Sequence, residues 1–221
     1  MMRVLLLATE YPDALGTLTE NTPKALLKIG KRTILDWLCD DLENLVEEYV
    51  IVTKKRYVPA FLEWARTKDE PVIVIEDGIS RTKETKGRGE VLNVSYAIEQ
   101  AKLHHDLLVI KADGILDYSL YWFARYCQDA GTSCILRHFE EDIIKLMESG
   151  VVQTDENDRV LDFEDRPKEP ATHWSTLPFY FFRAEDLDLL PRAIAGGTCN
   201  VSSLNSLVEW MRKRSEMHAM E

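Results

Sequence analysis

Short apolar runs alternate with amphipathic stretches along the whole chain. Val4-Leu5-Leu6-Leu7-Ala8 is short and wholly apolar, the pattern of a buried strand. A polar, turn-rich stretch follows from Thr9 to Thr22. From Thr33, the residues Ile34, Leu35, Leu38, Leu42 and Leu45 recur at helical spacing, and Asp36 three positions on makes a capping-box pair with Thr33. Asp40, Asp41 and Glu43 fall on the side expected to face water. Tyr49–Thr53 reads as a second strand. Lys54, Lys55 and Arg56 after it read as a solvated basic turn. A helix over Tyr57–Lys68, a strand over Pro71–Ile75 and a helix over Glu90–Lys102 follow. The last carries the stripe Val91, Val94, Ala97, Ile98 and Ala101.

The second half continues the alternation. A strand beginning at Asp106 runs into Asp113, and a helix spans Ser119–Gln128, with Asp117 as its expected cap. Thr132–Arg137 is another strand. Gly150–Gln153 and Arg159–Phe163 flank the turn residues 155–158 and predict a hairpin. Thr176–Phe182 is a strand whose Pro178 demands an edge or an irregular entry. Helices begin at Ala184 and span Ser203–Arg214. Residues 216–221 are expected to end without forming a further strand.

Strands alternating with helices imply an α/β fold: a mainly parallel sheet flanked by helices, with a β-hairpin inserted after Asp113. At 221 residues the chain can bury a full core as a single domain over 1–221. The net charge of −11 argues against nucleic acid or an anionic membrane surface as partner. The apolar runs are too short to span a bilayer, and the first residues do not read as a signal peptide. Cys39, Cys127, Cys134 and Cys199 have neither Cys-x-x-Cys nor metal-site spacing. They read as buried thiols of a reducing compartment, so a cytoplasmic location is expected.

Three stretches carry chemistry. The first is Leu18-Thr19-Glu20-Asn21-Thr22-Pro23-Lys24-Ala25-Leu26-Leu27, which follows the first strand. Open α/β sheets place ligands beyond the carboxyl ends of their strands. The stretch resembles the signature of the sugar-phosphate nucleotidyltransferases, Leu-Ala-Ala-Gly-x-Gly-Thr-Arg-Leu-x-Pro-Leu-Thr followed by Thr-Pro-Lys-x-Leu-Leu. The second half is kept. In the first half the family's glycines fall on Glu10 and Pro12, its Thr on Asp13, its Arg on Ala14 and its Pro on Thr17. Two like charges ~4 Å apart repel by ~4 kcal/mol at an effective dielectric of ~20. Losing one good charge donor costs ~3–4 kcal/mol of barrier. Together, ~7 kcal/mol corresponds to about five orders of magnitude in rate. Another cation must compensate, or the family reaction runs poorly.

The other two stretches extend the resemblance. The basic loop over 76–90 holds Arg81, Lys83, Lys86, Gly87, Arg88 and Gly89, and the family has a glycine-bearing nucleotide segment there. By resemblance, Asp113 falls on the strand-end Asp that binds the catalytic Mg²⁺, with Ala112 in place of Gly. Mg²⁺ is commonly held by one or two carboxylates plus substrate phosphates, so one such Asp is half a site. Phe163-Glu164-Asp165-Arg166-Pro167 resembles the family's Phe-x-Glu-Lys-Pro segment, which contacts the sugar phosphate. Glu164 and Arg166 are the acceptor-binding candidates, Arg166 keeping the charge of Lys with a different donor geometry. The family's final strand carries a second metal-binding Asp.

The resemblance implies an Mg²⁺-dependent enzyme joining a nucleoside triphosphate to a sugar 1-phosphate or similar phosphomonoester, with release of pyrophosphate. Lys24 and Asp113 would be catalytic, and Gly87, Arg88, Gly89, Glu164 and Arg166 would bind substrate. A homo-oligomer is compatible with this. Two alternatives stay open: a non-catalytic homologue that binds a ligand or pairs with an active subunit, and a small glycosyltransferase. Against the last, Asp113 and Asp117 are four apart, not Asp-x-Asp.

Overall fold

The structure is a computed structural model, and it describes residues 2–9, 15–19, 22–78, 88–112, 114, 116 and 118–221. Strand β1 (Met2–Ala8) is followed by a minimal hairpin of β2 (Lys28–Ile29) and β3 (Arg32–Thr33). Then come α1 (Ile34–Asp40), β4 (Val46–Thr53), α2 (Val58–Ala65), β5 (Val72–Glu76), α3 (Glu90–Ala101), β6 (Leu107–Lys111) and α4 (Leu120–Ala130). The second half adds β7 (Ser133–Phe139), α5 (Ile143–Glu148), β8 (Gly150–Thr154), β9 (Val160–Asp165) and β10 (Trp174–Phe182). It closes with α6 (Ala184–Leu187), α7 (Leu190–Ala195), α8 (Leu204–Met211) and β11 (Met217–Met220).

The main sheet runs β11-β7-β10-β6-β1-β4-β5. β6, β1, β4 and β5 are mutually parallel, and β10 is antiparallel to both of its neighbours. The hairpin β8–β9 leans on β10 through Val151 and Ser175. Strand alternation splits the core into two layers. Leu5, Leu7, Val50, Val52, Leu107, Val109, Tyr180 and Phe182 pack against α3, α7 and α8. Val4, Leu6, Ile51, Leu108, Ile110, Phe179 and Phe181 pack against α1, α2 and α4. The expected α/β fold, a mostly parallel sheet covered on both faces, is what forms.

Several local expectations are corrected. α1 starts at the expected capping box, with Thr33 and Asp36 bonded reciprocally, but ends at Asp40. Asp41 does not simply face water: its Oδ2 accepts the Leu120 amide at 2.8 Å, capping α4 from across the chain. Ser119 is the N-cap of α4, and Asp117 lies outside the described residues. Lys54 is not solvated, being 5% exposed, although Lys55 and Arg56 are exposed. Pro178 sits inside β10 at an irregularity in its pairing with β7, between Thr176 and Tyr180, where a missing N–H breaks no ladder. The last residues do form a strand: Met217–Met220 pairs in parallel with Ser133–Leu136 and carries no carboxylate.

Candidate functional site

The carboxyl ends of β1, β4, β5 and β6 open on one edge of the sheet. There the Thr53 hydroxyl donates to the Ala8 carbonyl at 3.1 Å, and the Ala112 amide to the Leu7 carbonyl at 3.0 Å. These bonds hold the strand ends together where their loops diverge. Asn93 in α3 reaches the same edge. Its Nδ2 donates to Thr9 Oγ1 at 3.3 Å, while its Oδ1 is buried without a hydrogen-bond partner.

The start of α3 is docked on the start of α8. Gly89 has φ +96, and a Cβ there would lie 2.5 Å from the Val201 carbonyl oxygen, so the position admits only glycine without displacing backbone. The Val91 amide donates to that same carbonyl at 3.1 Å. Glu90 uses both oxygens: Oε1 meets Lys111 Nζ at 2.7 Å, and Oε2 accepts the Leu204 amide at 2.9 Å. The residue thus ties α3, the end of β6 and the N-terminus of α8 into one corner.

The wall opposite comes from the hairpin and β10. Gly150 is enclosed, since a Cβ there would lie 2.5 Å from the Phe163 ring and 2.6 Å from Thr176 Oγ1. Asn205 Oδ1 accepts from the Tyr180 hydroxyl at 2.8 Å and from Thr176 Oγ1 at 3.2 Å. Burial, followed by the nearby Glu90 and Asp165 carboxylates, pushes the Tyr180 phenol far above its usual range, so it stays a neutral donor. Arg166 is mostly exposed, with φ +55 and its amide donating to the Ser149 carbonyl at 2.9 Å.

The structure separates the two carboxylates before Arg166. Glu164 is exposed. Asp165 is turned in: its side chain is 8% exposed, and its Oδ1 is buried with no hydrogen-bond partner. Period-two alternation forces adjacent strand residues to opposite faces. Counting Phe-x-Glu-Lys-Pro from Phe163 to Pro167 also puts the acidic position on Asp165. The inward carboxylate is therefore Asp165, while Glu164 faces solvent.

The remaining candidates are spread around this edge. Lys24 is exposed, at the first position of a 3-10 turn whose Ala25 is buried in the α1 layer. Arg88 is half-buried, its guanidinium 4.2 Å from the centre of the Tyr96 ring. Gly87 and Asp113 lie outside the described residues, as do Arg81, Lys83, Lys86 and most of the eroded signature. Sequence reasoning missed Glu90, Asn93, Lys111 and Asn205. Asn93 had a signal, a polar side chain four residues before Ala97 on the packing face of α3. Lys111 had another, a charge closing an apolar interior strand.

Among the described residues, no group of three or more His, Cys, Asp or Glu side chains could by itself hold a metal ion. No helix among them is long and apolar enough to cross a membrane. All four cysteines are buried and unbridged, and burial pushes the Cys39 thiol up to about 12.

Comparison with known proteins gives one family. The nucleotidyl transferase family model matches residues 5–213. The bifunctional protein GlmU of Methanococcus aeolicus is 25% identical over 198 residues, covering 86% of this chain and 42% of the relative. The glucose-1-phosphate adenylyltransferase of Fervidobacterium nodosum is 25% identical over 194 residues, covering 80% of this chain and 46% of the relative. The chain thus spans less than half the length of these curated relatives. In fold it is similar to a UDP-glucose pyrophosphorylase solved with UDP-glucose (TM-score 0.76, 14% identity, 100% of this chain and 91% of that one). It is equally similar to a Bacillus anthracis protein described as a glucose-1-phosphate thymidylyltransferase, solved with sucrose (TM-score 0.78, 15% identity, 99% and 86%).

Proposed function

Since the chain belongs to the nucleotidyl transferase family, we propose that it joins a nucleoside triphosphate to a sugar 1-phosphate or a similar phosphomonoester. The acceptor phosphate oxygen attacks the α-phosphorus in line, the bond to the β-phosphate breaks, and pyrophosphate leaves. No protein nucleophile is needed. The chain's part is to position the reactants and neutralise charge.

One observation carries the reading. At the carboxyl edge of the sheet, Asp165 holds a buried oxygen without a partner, beside Tyr180 and Asn205 and next to Arg166. A buried carboxylate oxygen left unbonded is costly unless a ligand completes it. Sugar hydroxyls are donors of the right kind, and Arg166 is the neighbouring cation for a phosphate. Asp165 replaces Glu164 in our assignment. Gly89 lets the backbone of 88–91 pack against 201–204, which sets the nucleotide-side wall, and Lys24, Gly87 and Arg88 remain our candidates on that side.

The donor chemistry is compatible with Mg²⁺. A carboxylate at Asp113, with water, would supply one of the one or two protein oxygens that Mg²⁺ commonly takes beside substrate phosphates. When bound, the ion would neutralise phosphate charge. We assign the protein to a reducing compartment such as the cytoplasm and treat 1–221 as one functional unit.

A second reading is favoured by Glu10, Pro12, Asp13 and Ala14 where the signature has Gly, Gly, Thr and Arg: a homologue that binds ligand without turning it over. Pyrophosphate release decides between them. The protein is incubated with each nucleoside triphosphate, a panel of sugar 1-phosphates and Mg²⁺. Release with one pair, abolished by chelation, is expected. Ligand binding without release establishes the second reading, and absence of both removes the family activity altogether.

A further inference from the structure

Lys111 closes β6, an interior strand between β1 and β10. By alternation it lies on the Leu107 and Val109 side, the side covered by α3 and α8. Its backbone is held in place, because the sheet bonding continues one residue further through the Ala112 amide and the Leu7 carbonyl. Its side chain is only 28% exposed, and Glu90 holds its ammonium at 2.7 Å. Glu90 is fixed in turn by the Leu204 amide and by its place in the first turn of α3. An ion pair between flexible surface side chains is worth little and is aimed nowhere. This one is anchored at both ends by secondary structure.

The charge balance gives the pair a purpose. Glu10, Asp13 and Asp113 all follow the carboxyl ends of β1 and β6 in the chain, and Asp165 is turned inward from β9. A polyphosphate would add more negative charge to the same edge. The signature arginine is absent, with Ala14 in its place. Glu90 is itself shared with the Leu204 N–H and lies at the positive end of α3.

We infer that Lys111 is a further phosphate-contacting residue, its ammonium aimed by Glu90 at the substrate phosphates beyond β6, where it supplies positive charge that the Thr9–Thr17 loop has lost. The inference rests on the nucleotidyl-transfer reading above. The phosphate it meets belongs either to the nucleotide or to the acceptor, and two probes separate these sources.

The full-length chain, with Mg²⁺ present, is titrated calorimetrically with inorganic pyrophosphate and with glucose 1-phosphate. Pyrophosphate is a product of the proposed reaction whatever the base and the sugar. The same titrations are run on Lys111→Met and Lys111→Arg. The expected result is a loss of about tenfold or more for one probe in Lys111→Met. Affinity should return to within about threefold of the parent in Lys111→Arg, which keeps the charge. A loss confined to pyrophosphate places Lys111 on the nucleotide, and one confined to glucose 1-phosphate places it on the acceptor. Should Lys111→Met fail to fold by circular dichroism, Lys111→Gln is read in its place. Equal affinities for both probes in parent and variant overturn the Lys111 assignment alone. A parent that binds neither probe nor any nucleoside triphosphate overturns both the assignment and the nucleotidyl-transfer reading.

Discussion

Two half-buried to buried carboxylates, one on each side of the sheet, behave in opposite ways. Asp36 begins α1 and is fully engaged. It accepts from the Thr33 amide at 3.0 Å, from Trp64 Nε1 at 2.9 Å and from Lys68 Nζ at 2.7 Å. Burial alone would raise its pKa. The hydrogen bonds from Lys68, Thr33 and Trp64 outweigh that and hold it well below the usual carboxylate range. Asp165 ends β9 more deeply buried, yet its Oδ1 has no hydrogen-bond partner, and Arg166 Nε stands at 3.7 Å. That distance is too long for a hydrogen bond. On the proposed function, the difference separates structure from function. A carboxylate that only holds the fold together is saturated by the fold. One that meets a ligand is left short of donors until the ligand arrives.

The sharpest way to break this contrast is Asp165→Asn. It should lower kcat/KM for the acceptor about 100-fold, the scale of losing one positioned charge in a transfer site. Thermal stability should stay within about 1 kcal/mol, because no hydrogen bond to Oδ1 is lost. Acceptor kinetics and a thermal melt on the same preparation test both halves. Unchanged acceptor kinetics would return Asp165 to the structural class.

Asp36→Asn should do the reverse. It removes a capping-box partner and a charge-assisted bond to Lys68, and should cost about 2–3 kcal/mol in denaturant unfolding. Turnover per folded molecule should not change. Acid should mimic the substitution. Because the folded pKa of Asp36 is depressed, its stabilisation is complete above the unfolded value, near 3.9, and is lost as pH falls towards the folded one. Unfolding free energy of the parent protein should therefore drop more steeply below pH 4 than that of Asp36→Asn. Parallel slopes would show that Asp36 is not the group responsible.

Glu164→Gln is the smallest expected effect and sharpens the comparison most cheaply. The side chain is exposed on a hairpin strand. Its removal should change stability by no more than about 0.5 kcal/mol, as at most surface sites, and leave acceptor kinetics unaltered. A large loss there would mean that the hairpin presents its other face to the substrate.

Much of this molecule was legible in its pattern of apolar and polar residues. β1, β4, β6 and β10 follow from short apolar runs, and the cap at Thr33 lies at a helix start that spacing alone could place, whereas α4 is capped by Ser119 and not by the expected Asp117. The kept Thr22–Leu27 half of the signature pointed to the family. Local periodicity determines such features because each depends on neighbours within a turn of helix or a strand pair. What local pattern left open was decided by contacts between residues far apart in the chain. Asp41 caps a helix 79 residues away, and Glu90 accepts from an amide 114 residues on. Whether Glu164 or Asp165 faces inward depended on how β9 sits against Gly150 and α8. Met217–Met220 became a strand only because β7 offered an edge to pair with. A carboxylate carries the same formal charge on either face of a strand. Tertiary packing decides whether it meets water, a lysine, or a space for a ligand.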